Sequence, residues 1–400
     1  MEYSVNPLVL ATEAPPIPIA QGWKARYQGQ CGPLIDLSQA VPGHPPPESL
    51  LCRLGEAASR PEASRYGPIV GDLALREALA VDISSRYDGR VAVEQVAVTA
   101  GCNQAFFVAA QTLAKAGDAV ILPSPWYFNH KMALDMLGIE ARTLACDPED
   151  GFLPNPERCE GLIDARVKAI VLVSPNNPSG AVYSETLIGR FLALARRHGV
   201  ALVLDETYRD FLPLSANRAH GLFAERDWDS TLIHLYSFSK AYAIPGQRLG
   251  SIVAAPNFLS EAAKILDSLQ ICPPRSVQVA IVAAIEETRD WRESVRRELS
   301  FRADACRAAF EKSKSWRLSS IGAYFAFVAH PYPKERAAAV AERLVVEAGI
   351  LGLPGPYFGP GLEGYLRLAF ANVERETLVC VGERLAKLGD VHSSSSRGPT

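Results

Sequence analysis

The sequence predicts an α/β fold: a doubly wound, mostly parallel sheet in a large domain, with a smaller α+β domain beside it. Two observations predict the large domain. Short unbroken apolar runs, such as 169–173 and 200–204, alternate with segments of helical periodicity. This pattern is typical of parallel strands covered by helices on both faces. Polar residues also stand directly after several runs, where open α/β sheets bind their ligands.

The elements of the large domain follow from the apolar pattern in chain order. Short runs predict strands, and longer segments with helical periodicity predict helices. The predicted strands cover 96–99, 119–122, 169–173, 200–204, 232–236 and 249–254, and the predicted helices include 101–113 and 185–198. We expect these elements to form one domain over residues 46–290.

The smaller domain is predicted to combine an N-terminal arm, residues 1–45, with residues 291–390. Its predicted elements are a long helix at 291–312, strands near 322–328 and 365–371, and helices at 335–348 and 375–388.

Both ends of the chain have a distinctive composition. Proline clusters at 14–19 and 42–47 favour extended chain over helix. The serine-rich end, 391–400, is typical of a disordered tail.

Composition excludes several function classes. The 400 residues carry a net charge of −3, so no strong field attracts nucleic acid or an anionic membrane. No apolar run approaches the ~18 residues that span a bilayer. The start of the chain lacks the basic and apolar regions of a signal peptide. We therefore expect a cytoplasmic protein without nucleic-acid or membrane partners.

The potential metal ligands are scattered. Eight cysteines form no Cys-x-x-Cys pair, and seven histidines form no His-Glu-x-x-His motif. We expect free thiols in a reducing compartment and no metal site.

Lys240 is a lone cation in the apolar and aromatic stretch 234–250. Burial disfavours the ammonium and lowers the pKa of a lysine. A neutral lysine amine is a nucleophile that forms Schiff bases with carbonyl compounds. Lys240 therefore indicates an aldehyde cofactor.

Other polar residues follow the predicted strands. Asp205 could pair with a protonated pyridine nitrogen, or it could simply cap a helix. Tyr208 stands one turn later and could donate to a phenolate. Asn177 lies in a stiff turn with two prolines and could donate an amide hydrogen to a ring oxygen or a carboxylate. Arg367, alone on an apolar strand, could grip a carboxylate or face solvent.

A phosphate site is also indicated. Backbone N–H groups at a helix start, together with hydroxyls and a guanidinium, bind phosphate. The candidates are Gly101, Cys102, Asn103, Ser237, Ser239 and Arg248. The helix start alone is a weak signal, and Arg248 could equally be a solvated arginine.

One competing motif overlaps the lysine. Ser237-Phe-Ser-Lys240 matches the Ser-x-x-Lys signature of serine β-lactamases and penicillin-binding proteins. The companion Ser-Asp-Asn and Lys-Thr-Gly tripeptides are absent from the sequence. The parallel α/β pattern also does not suit that fold.

Together, these segments resemble the fold-type I pyridoxal-phosphate enzymes, specifically the class I/II aminotransferases, from about Leu34 to Leu388. Ser174-Pro-Asn-Asn-Pro-Ser-Gly180, Asp205-Glu-Thr-Tyr208 and the stretch from Ser237 to Gly250 are similar to the family's motifs in order and spacing. The resemblance implies that Lys240 binds pyridoxal 5'-phosphate as a Schiff base and shuttles a proton. It implies that Asp205 holds the pyridine nitrogen, and that Asn177 and Tyr208 bond the ring's 3-oxygen.

Further roles are implied by the same resemblance. Tyr127 aligns with the aromatic residue that stacks on the ring, with Trp126 as the adjacent alternative. Tyr66 matches a tyrosine that reaches the phosphate of the neighbouring subunit, which implies a homodimer with shared sites. Arg367 matches the clamp for the substrate α-carboxylate. The candidate phosphate ligands named above would hold the cofactor's phosphate.

Two residues depart from the family's pattern. Ala40 replaces a glycine near the substrate carboxylate, so its methyl group narrows the pocket or shifts the loop. Cys102 stands where a smaller residue such as alanine or serine is usual. Both departures put ordinary substrate choice in doubt.

The resemblance implies transfer of an amino group from an L-amino acid to a 2-oxo acid by a ping-pong cycle. The alternatives are a C–S β-elimination lyase or a decarboxylase on the same fold, and last a cofactor-sensing regulator. Arg367 argues against decarboxylation because it stabilises the carboxylate that must leave. The arm at 17–19 could cover the pocket, which would favour an apolar or aromatic substrate. Arg275 could be a second arginine for a dicarboxylic substrate, or equally a surface residue.

Overall fold

A seven-stranded sheet forms the centre of the larger part of the molecule. The computed structural model of the chain describes residues 3–313 and 315–395. The strands of all the sheets in the described residues are β1 Ile35–Asp36, β2 Val96–Thr99, β3 Ala119–Ser124, β4 Glu140–Ala145, β5 Val167–Val173, β6 Ala201–Asp205, β7 Leu232–Ser237, β8 Gly250–Val253, β9 Arg317–Gly322, β10 Phe325–Ala329, β11 Ile350–Leu351, β12 Leu353–Pro354 and β13 Tyr365–Ala369.

Helices connect and cover these strands. They are α1 Pro7–Ala11, α2 Pro16–Gly22, α3 Glu48–Ser59, α4 Leu73–Arg86, α5 Cys102–Leu113, α6 Phe128–Met136, α7 Pro156–Glu160, α8 Glu185–His198, α9 Phe238–Ala241, α10 Pro256–Gln270, α11 Arg275–Glu287, α12 Arg289–Glu311, α13 Ala337–Ala348 and α14 Arg375–Ser395.

The large sheet has the strand order β2-β8-β7-β6-β5-β3-β4, and only β8 runs antiparallel to its neighbours. Buried side chains form one core with α3, α4, α8 and α11 and a second core with α5, α6 and α10. Strand residues contribute to both cores because successive side chains point to opposite faces. The predicted α/β class with a mostly parallel sheet is confirmed.

A smaller antiparallel sheet has the order β12-β13-β10-β9 and packs with α12, α13 and α14. A separate parallel pair, β1 with β11, joins the N-terminal segment to this part of the molecule. The pairing places residues 39–41 beside the ends of the large sheet's strands, where they help to line the pocket described below. The division of the chain into domains at residues 45 and 290 remains a prediction.

Strands β1, β4, β11 and β12 were not predicted from the sequence, and one predicted strand is a hairpin. The edge strand β4 was not predicted, because its sequence, Glu-Ala-Arg-Thr-Leu-Ala, is polar and mostly not buried. The segment near 322–328 forms a hairpin of β9 and β10 instead of one strand, with Ala323 at φ 46° in the turn.

The prediction for the N-terminal proline cluster was wrong. Residues 16–22 form helix α2 rather than extended chain. Pro16 and Pro18 lie in its first turn, where a helix needs no backbone N–H donor, so proline is tolerated there.

The prediction of a disordered tail over 391–400 was wrong for its first half. Helix α14 continues to Ser395, since extending an existing helix is much easier than nucleating one. Residues 396–400 lie outside the described residues. Among the described helices, none is long and apolar enough to cross a membrane.

Candidate active site

A pocket of about 500 Å³ opens at the carboxyl ends of the parallel strands. It brings together twelve of the residues predicted from sequence: Ala40, Cys102, Asn103, Tyr127, Asn177, Asp205, Tyr208, Ser237, Ser239, Lys240, Arg248 and Arg367. These residues come from seven separate chain segments, so their convergence is a property of the fold.

Lys240 lies in the short helix α9, directly after β7. Its Nζ donates a hydrogen bond to the carbonyl of Ala40. Burial, and then the positive charges of Arg367 and Arg248, lower the pKa of Lys240 to about 8. A lysine with this pKa supplies a substantial fraction of neutral, nucleophilic amine near neutral pH.

Asp205 ends β6 and is only 3% exposed. Its Oδ2 lies 3.2 Å from His130 Nε2, and its Oδ1 accepts hydrogen bonds from the N–H and hydroxyl of Thr207. Burial raises the pKa of this carboxyl, but the hydrogen bonds from His130 and Thr207 outweigh it and lower the pKa overall. The carboxylate is therefore held ionised, and it does not cap an α-helix.

The start of α5 forms an anion cradle with Arg248. Gly101 precedes the helix at φ 88°, and a Cβ at this position would clash with the Arg248 guanidinium. Arg248 Nη1 donates to the Pro245 carbonyl at 3.0 Å and lies 3.5 Å from Ser239 Oγ. The Ser239 N–H donates to Ser237 Oγ. Backbone N–H groups, hydroxyls and a guanidinium thus converge without a carboxylate among them.

Arg367 lies in β13, between β10 and β12, and is 1% exposed. Its Nη1 donates to Asn177 Oδ1 at 3.2 Å and its Nη2 donates to the Ser38 carbonyl, while its Nε has no partner. Burial lowers the pKa of Arg367 to about 10. No carboxylate of the described residues pairs with this guanidinium, so its charge is available to an anion from outside.

The two predicted tyrosines both line the pocket. Tyr127 OH donates to Asn103 Oδ1 at 3.2 Å, and burial raises the pKa of Tyr127 to about 12. Burial, followed by the influence of Tyr127, raises the pKa of Tyr208 well above its usual value. Both hydroxyls are therefore neutral donors. Trp126, the alternative to Tyr127, lines a neighbouring groove instead.

The two departures from the family's pattern are in the pocket lining. Ala40 accepts from Lys240 through its backbone carbonyl, a contact that does not depend on its side chain. Cys102 is buried, and burial followed by the charge of Asp205 raises the pKa of its thiol well above the usual value. The thiol is therefore protonated and unreactive as a nucleophile.

Like Trp126, the predicted residues Tyr66 and Arg275 lie outside this pocket. Tyr66 is 77% exposed. Arg275 donates to Asp72 Oδ2 at 3.0 Å and to the carbonyls of Arg65 and Tyr66. Within this chain, therefore, Arg275 holds the Tyr66 segment in place and is not a second arginine in the pocket.

Sequence reasoning missed His130, which contacts Asp205 but does not line the pocket, and several residues that do line it. His130 stands three residues after Tyr127 on α6, so helical spacing could have pointed to it. No sequence signal identifies Val41, Phe128 or Asn129, which reach the pocket only through the fold. Ile17 and Pro18 also line the pocket, which agrees with the expected position of the arm. Among the described residues, no group of three or more His, Cys, Asp or Glu side chains could hold a metal ion.

Comparisons with known proteins agree with this geometry. The family model "Aminotransferase class I and II" matches residues 33–385. An aspartate/prephenate aminotransferase of Thermus thermophilus is 31% identical, over 92% of this chain and 94% of that protein. An aromatic aminotransferase of Arabidopsis thaliana is 30% identical, over 88% of this chain and 89% of that protein.

Solved structures show the same relationship. The aspartate aminotransferase from Thermus thermophilus with maleate superposes with a TM-score of 0.88 at 26% identity, covering 97% of this chain and 100% of that chain. Because the family model covers most of the sequence and the relatives align along nearly their whole length, the chain belongs to the class I and II aminotransferase family.

Proposed function

We propose that this aminotransferase moves the amino group of an L-amino acid with an apolar or aromatic side chain to a 2-oxo acid, in a ping-pong cycle. The observation that carries the proposal is the pairing, in one pocket, of a lysine of lowered pKa with a buried arginine that lacks a carboxylate partner. The neutral amine of Lys240 can form a Schiff base with an aldehyde. The guanidinium of Arg367 can bind the carboxylate that both the amino acid and the 2-oxo acid carry.

Enzymes of this family use pyridoxal phosphate, and the pocket residues fit that group. Because Gly101 has no side chain, space remains between the start of α5 and the Arg248 guanidinium, and this space suits a phosphate. The buried Asp205 carboxylate suits a protonated pyridine nitrogen. Asn177 and Tyr208 would bond the ring's 3-oxygen, Tyr127 would stack on the ring, and Lys240 Nζ would bond its aldehyde carbon. When bound, pyridoxal phosphate acts as an electron sink.

Each of these residues has a separate role in the proposed reaction. Arg367 binds the substrate carboxylate and orients the α-carbon. The Lys240 amine would accept the proton released from that α-carbon and donate it again, which makes Lys240 the base and acid of the reaction. His130 and Thr207 hold Asp205 ionised, so that it keeps the pyridine nitrogen protonated. The hydrogen bond from Lys240 Nζ to the Ala40 carbonyl orients the amine.

Apolar residues favour an apolar or aromatic side chain in the substrate. Ile17, Pro18, Val41 and Phe128 line the pocket. The pocket's three cations, Lys240, Arg248 and Arg367, are each assigned above, and no fourth cation among the described lining residues is left for a second carboxylate. One relative reported above is named for aromatic substrates and another for aspartate and prephenate. The lining supports the aromatic choice.

A spectroscopic experiment tests the reaction and the substrate class. The holoenzyme is mixed with single amino acids without an acceptor, and the visible spectrum is followed. We expect phenylalanine or leucine to convert the cofactor to pyridoxamine phosphate with release of the matching 2-oxo acid. Release of pyruvate and ammonia with unchanged cofactor would instead identify a lyase. A preference for aspartate would overturn the apolar assignment alone.

The rival functions are less well supported. The relatives reported above are aminotransferases, and a buried Arg367 beside Lys240 suits a reaction that retains the carboxylate. A cofactor-sensing regulator would not need a proton-shuttling lysine with a lowered pKa.

We also propose a homodimer with shared active sites. Tyr66 is largely exposed, and Arg275 fixes the backbone that carries it, which suits a side chain that serves a partner's pocket. Mixing the inactive variants Tyr66→Ala and Lys240→Ala should restore part of the activity in hybrid dimers. A monomer in light scattering, or no restored activity despite subunit exchange, would contradict this arrangement.

A cytoplasmic location is proposed on the basis of cysteine chemistry. All eight cysteines are free thiols. Free thiols persist in reducing compartments. Cell fractionation tests the location.

A further inference from the structure

A second cavity, of about 340 Å³, lies outside the catalytic pocket and is lined by arginines. It is bounded by the end of α4, by residues 209–219 and by the first turns of α12. Its charged lining residues are Arg86, Arg209, Arg218, Arg289, Arg292 and Arg296, with Asp82, Asp210 and Glu293. We call this site the arginine cavity.

The inner part of the arginine cavity has more cations than anions. Arg86 and Arg292 both pair with Asp210 Oδ1, at 3.1 and 3.0 Å. Arg209 pairs with Asp82 at 3.0 Å, and Arg86 lies 3.8 Å from the same carboxylate. Three arginines therefore share two carboxylates. Burying an uncompensated charge is unfavourable unless a counter-ion offsets it.

Several guanidinium hydrogens in this cluster have no acceptor. Arg209 is 3% exposed, and its Nε and Nη1 have no hydrogen-bond partner, nor has Arg86 Nε. The ring of Tyr236, 3.8 Å from Arg209 Cζ, compensates part of the charge. The nearby carboxylate of Glu206 interacts with His220 and His234 and forms no ion pair with the arginines in the part of the chain described.

The outer arginines are better compensated. Arg218 pairs with Glu185 at 2.9 Å, Arg289 with Glu286 at 2.6 Å and Arg296 with Glu293 at 3.2 Å. The pairs of Arg218 and Arg289 are exposed, so they are weak and exchange easily with solvent ions. Arg218 and Arg289 can therefore turn toward a ligand without leaving a buried carboxylate unpaired.

We propose that the arginine cavity is a binding site for a small phosphate-bearing anion, distinct from the catalytic pocket. Guanidinium groups match the tetrahedral oxygens of phosphate with paired N–H donors. The anion would offset the excess positive charge of Arg86, Arg209 and Arg292. Arg218 and Arg289 would then turn toward it. The site touches the catalytic pocket through the chain: Arg209 and Asp210 directly follow Tyr208, and Asp210 accepts from Tyr236 OH at 2.7 Å, next to Ser237. Anion binding would therefore stabilise the segment that carries Tyr208.

The test uses the holoenzyme and inorganic phosphate, with sodium chloride at equal ionic strength as the reference. We expect saturable binding at one site per chain by calorimetry, and a rise in Tm beyond that in chloride. Arg86→Gln should weaken phosphate binding roughly tenfold or more, because a charge-assisted hydrogen bond is lost. Arg289→Gln should weaken it less.

A matched control lies on the same helix. Arg297 is 64% exposed at its side chain, like Arg289 at 61%, and pairs with Glu293, but it does not line the arginine cavity. Arg297→Gln should leave phosphate binding unchanged. Binding that is absent, that equals the chloride effect, or that persists in both Arg86→Gln and Arg289→Gln would show an ion-pair network only and overturn the proposal.

Discussion

The catalytic pocket and the arginine cavity are both lined by the segment 205–210, but their cations have different partners. In the pocket, Lys240 and Arg367 donate to carbonyl and amide oxygens and have no carboxylate partner among the described residues. In the arginine cavity, Arg86, Arg209 and Arg292 each pair with a carboxylate.

This difference separates cations whose full charge is available to a ligand from cations whose charge is partly neutralised within the protein. A neutral acceptor orients a buried cation but leaves its charge for an anionic ligand. In the arginine cavity, two carboxylates offset only part of the charge of three arginines, and breaking one of these buried pairs is strongly destabilising. Substitutions in the pocket should therefore change the chemistry, whereas substitutions of the inner arginines of the cavity should lower the stability as well as weaken anion binding.

The largest effect is expected for Lys240→Ala. Without its amine, the proton transfer at the substrate α-carbon loses its acid and base, and kcat should fall on the order of ten-thousandfold. Single-turnover absorbance with one amino acid measures the loss. Lys264→Ala, an exposed lysine on α10, is the control and should keep full activity. A Lys240→Ala variant within tenfold of the parent would exclude the proposed role.

The next effect concerns stability. Arg292→Met removes a buried partner of Asp210 and should lower the free energy of unfolding by about 3–5 kcal/mol. Cofactor binding and kcat/KM should change little, because Arg292 does not line the pocket. Urea unfolding and kinetics are compared with Arg297→Met on the same helix. A large loss of kcat/KM without a lower free energy of unfolding would show that Arg292 acts on catalysis and not on stability.

Arg367→Gln should act on substrate binding. Loss of the charged fork should lower kcat/KM roughly tenfold to a hundredfold, mainly through KM. Initial rates over a substrate series measure this, with the exposed Arg375→Gln as control. An unchanged KM for the amino acid would mean that another group binds the carboxylate.

The smallest effect is a shift in pH dependence. In cofactor-free protein, only neutral Lys240 reacts with the aldehyde, so the reaction rate should rise with pH to a midpoint near 8, the lowered pKa of Lys240. Arg367→Gln removes a positive charge that lowers this pKa, so the midpoint should move upward. Stopped-flow absorbance gives both midpoints. A midpoint at the ordinary lysine value of 10.5 would contradict the proposed environment.

Most of the fold was predictable because it depends on local patterns. The strands at 96–99 and 232–236 are unbroken apolar runs, and a buried parallel strand needs no other signal. Strand β4 was missed because an edge strand can be polar. Helix α2 was missed because proline usually opposes helix, although the first turn tolerates it.

The candidate site was partly predictable for a different reason. Residues such as Asp205 and Lys240 follow strands whose ends meet at one edge of the sheet, so their proximity follows from the fold class. Packing between distant segments brings His130 into contact with Asp205 and places Val41 in the pocket lining. The arginine cavity had no sequence signal, since its arginines are spread from α4 to α12.

The sequence by itself determined the α/β class, the order of the elements and the residue types that carry the chemistry, because apolar period and strand-end position are local properties. Tertiary structure decided which charges are compensated. Whether an arginine faces a carbonyl, as Arg367 does, or a carboxylate, as Arg292 does, depends on contacts between residues far apart in the chain, and those contacts set the pKa values and the available charge.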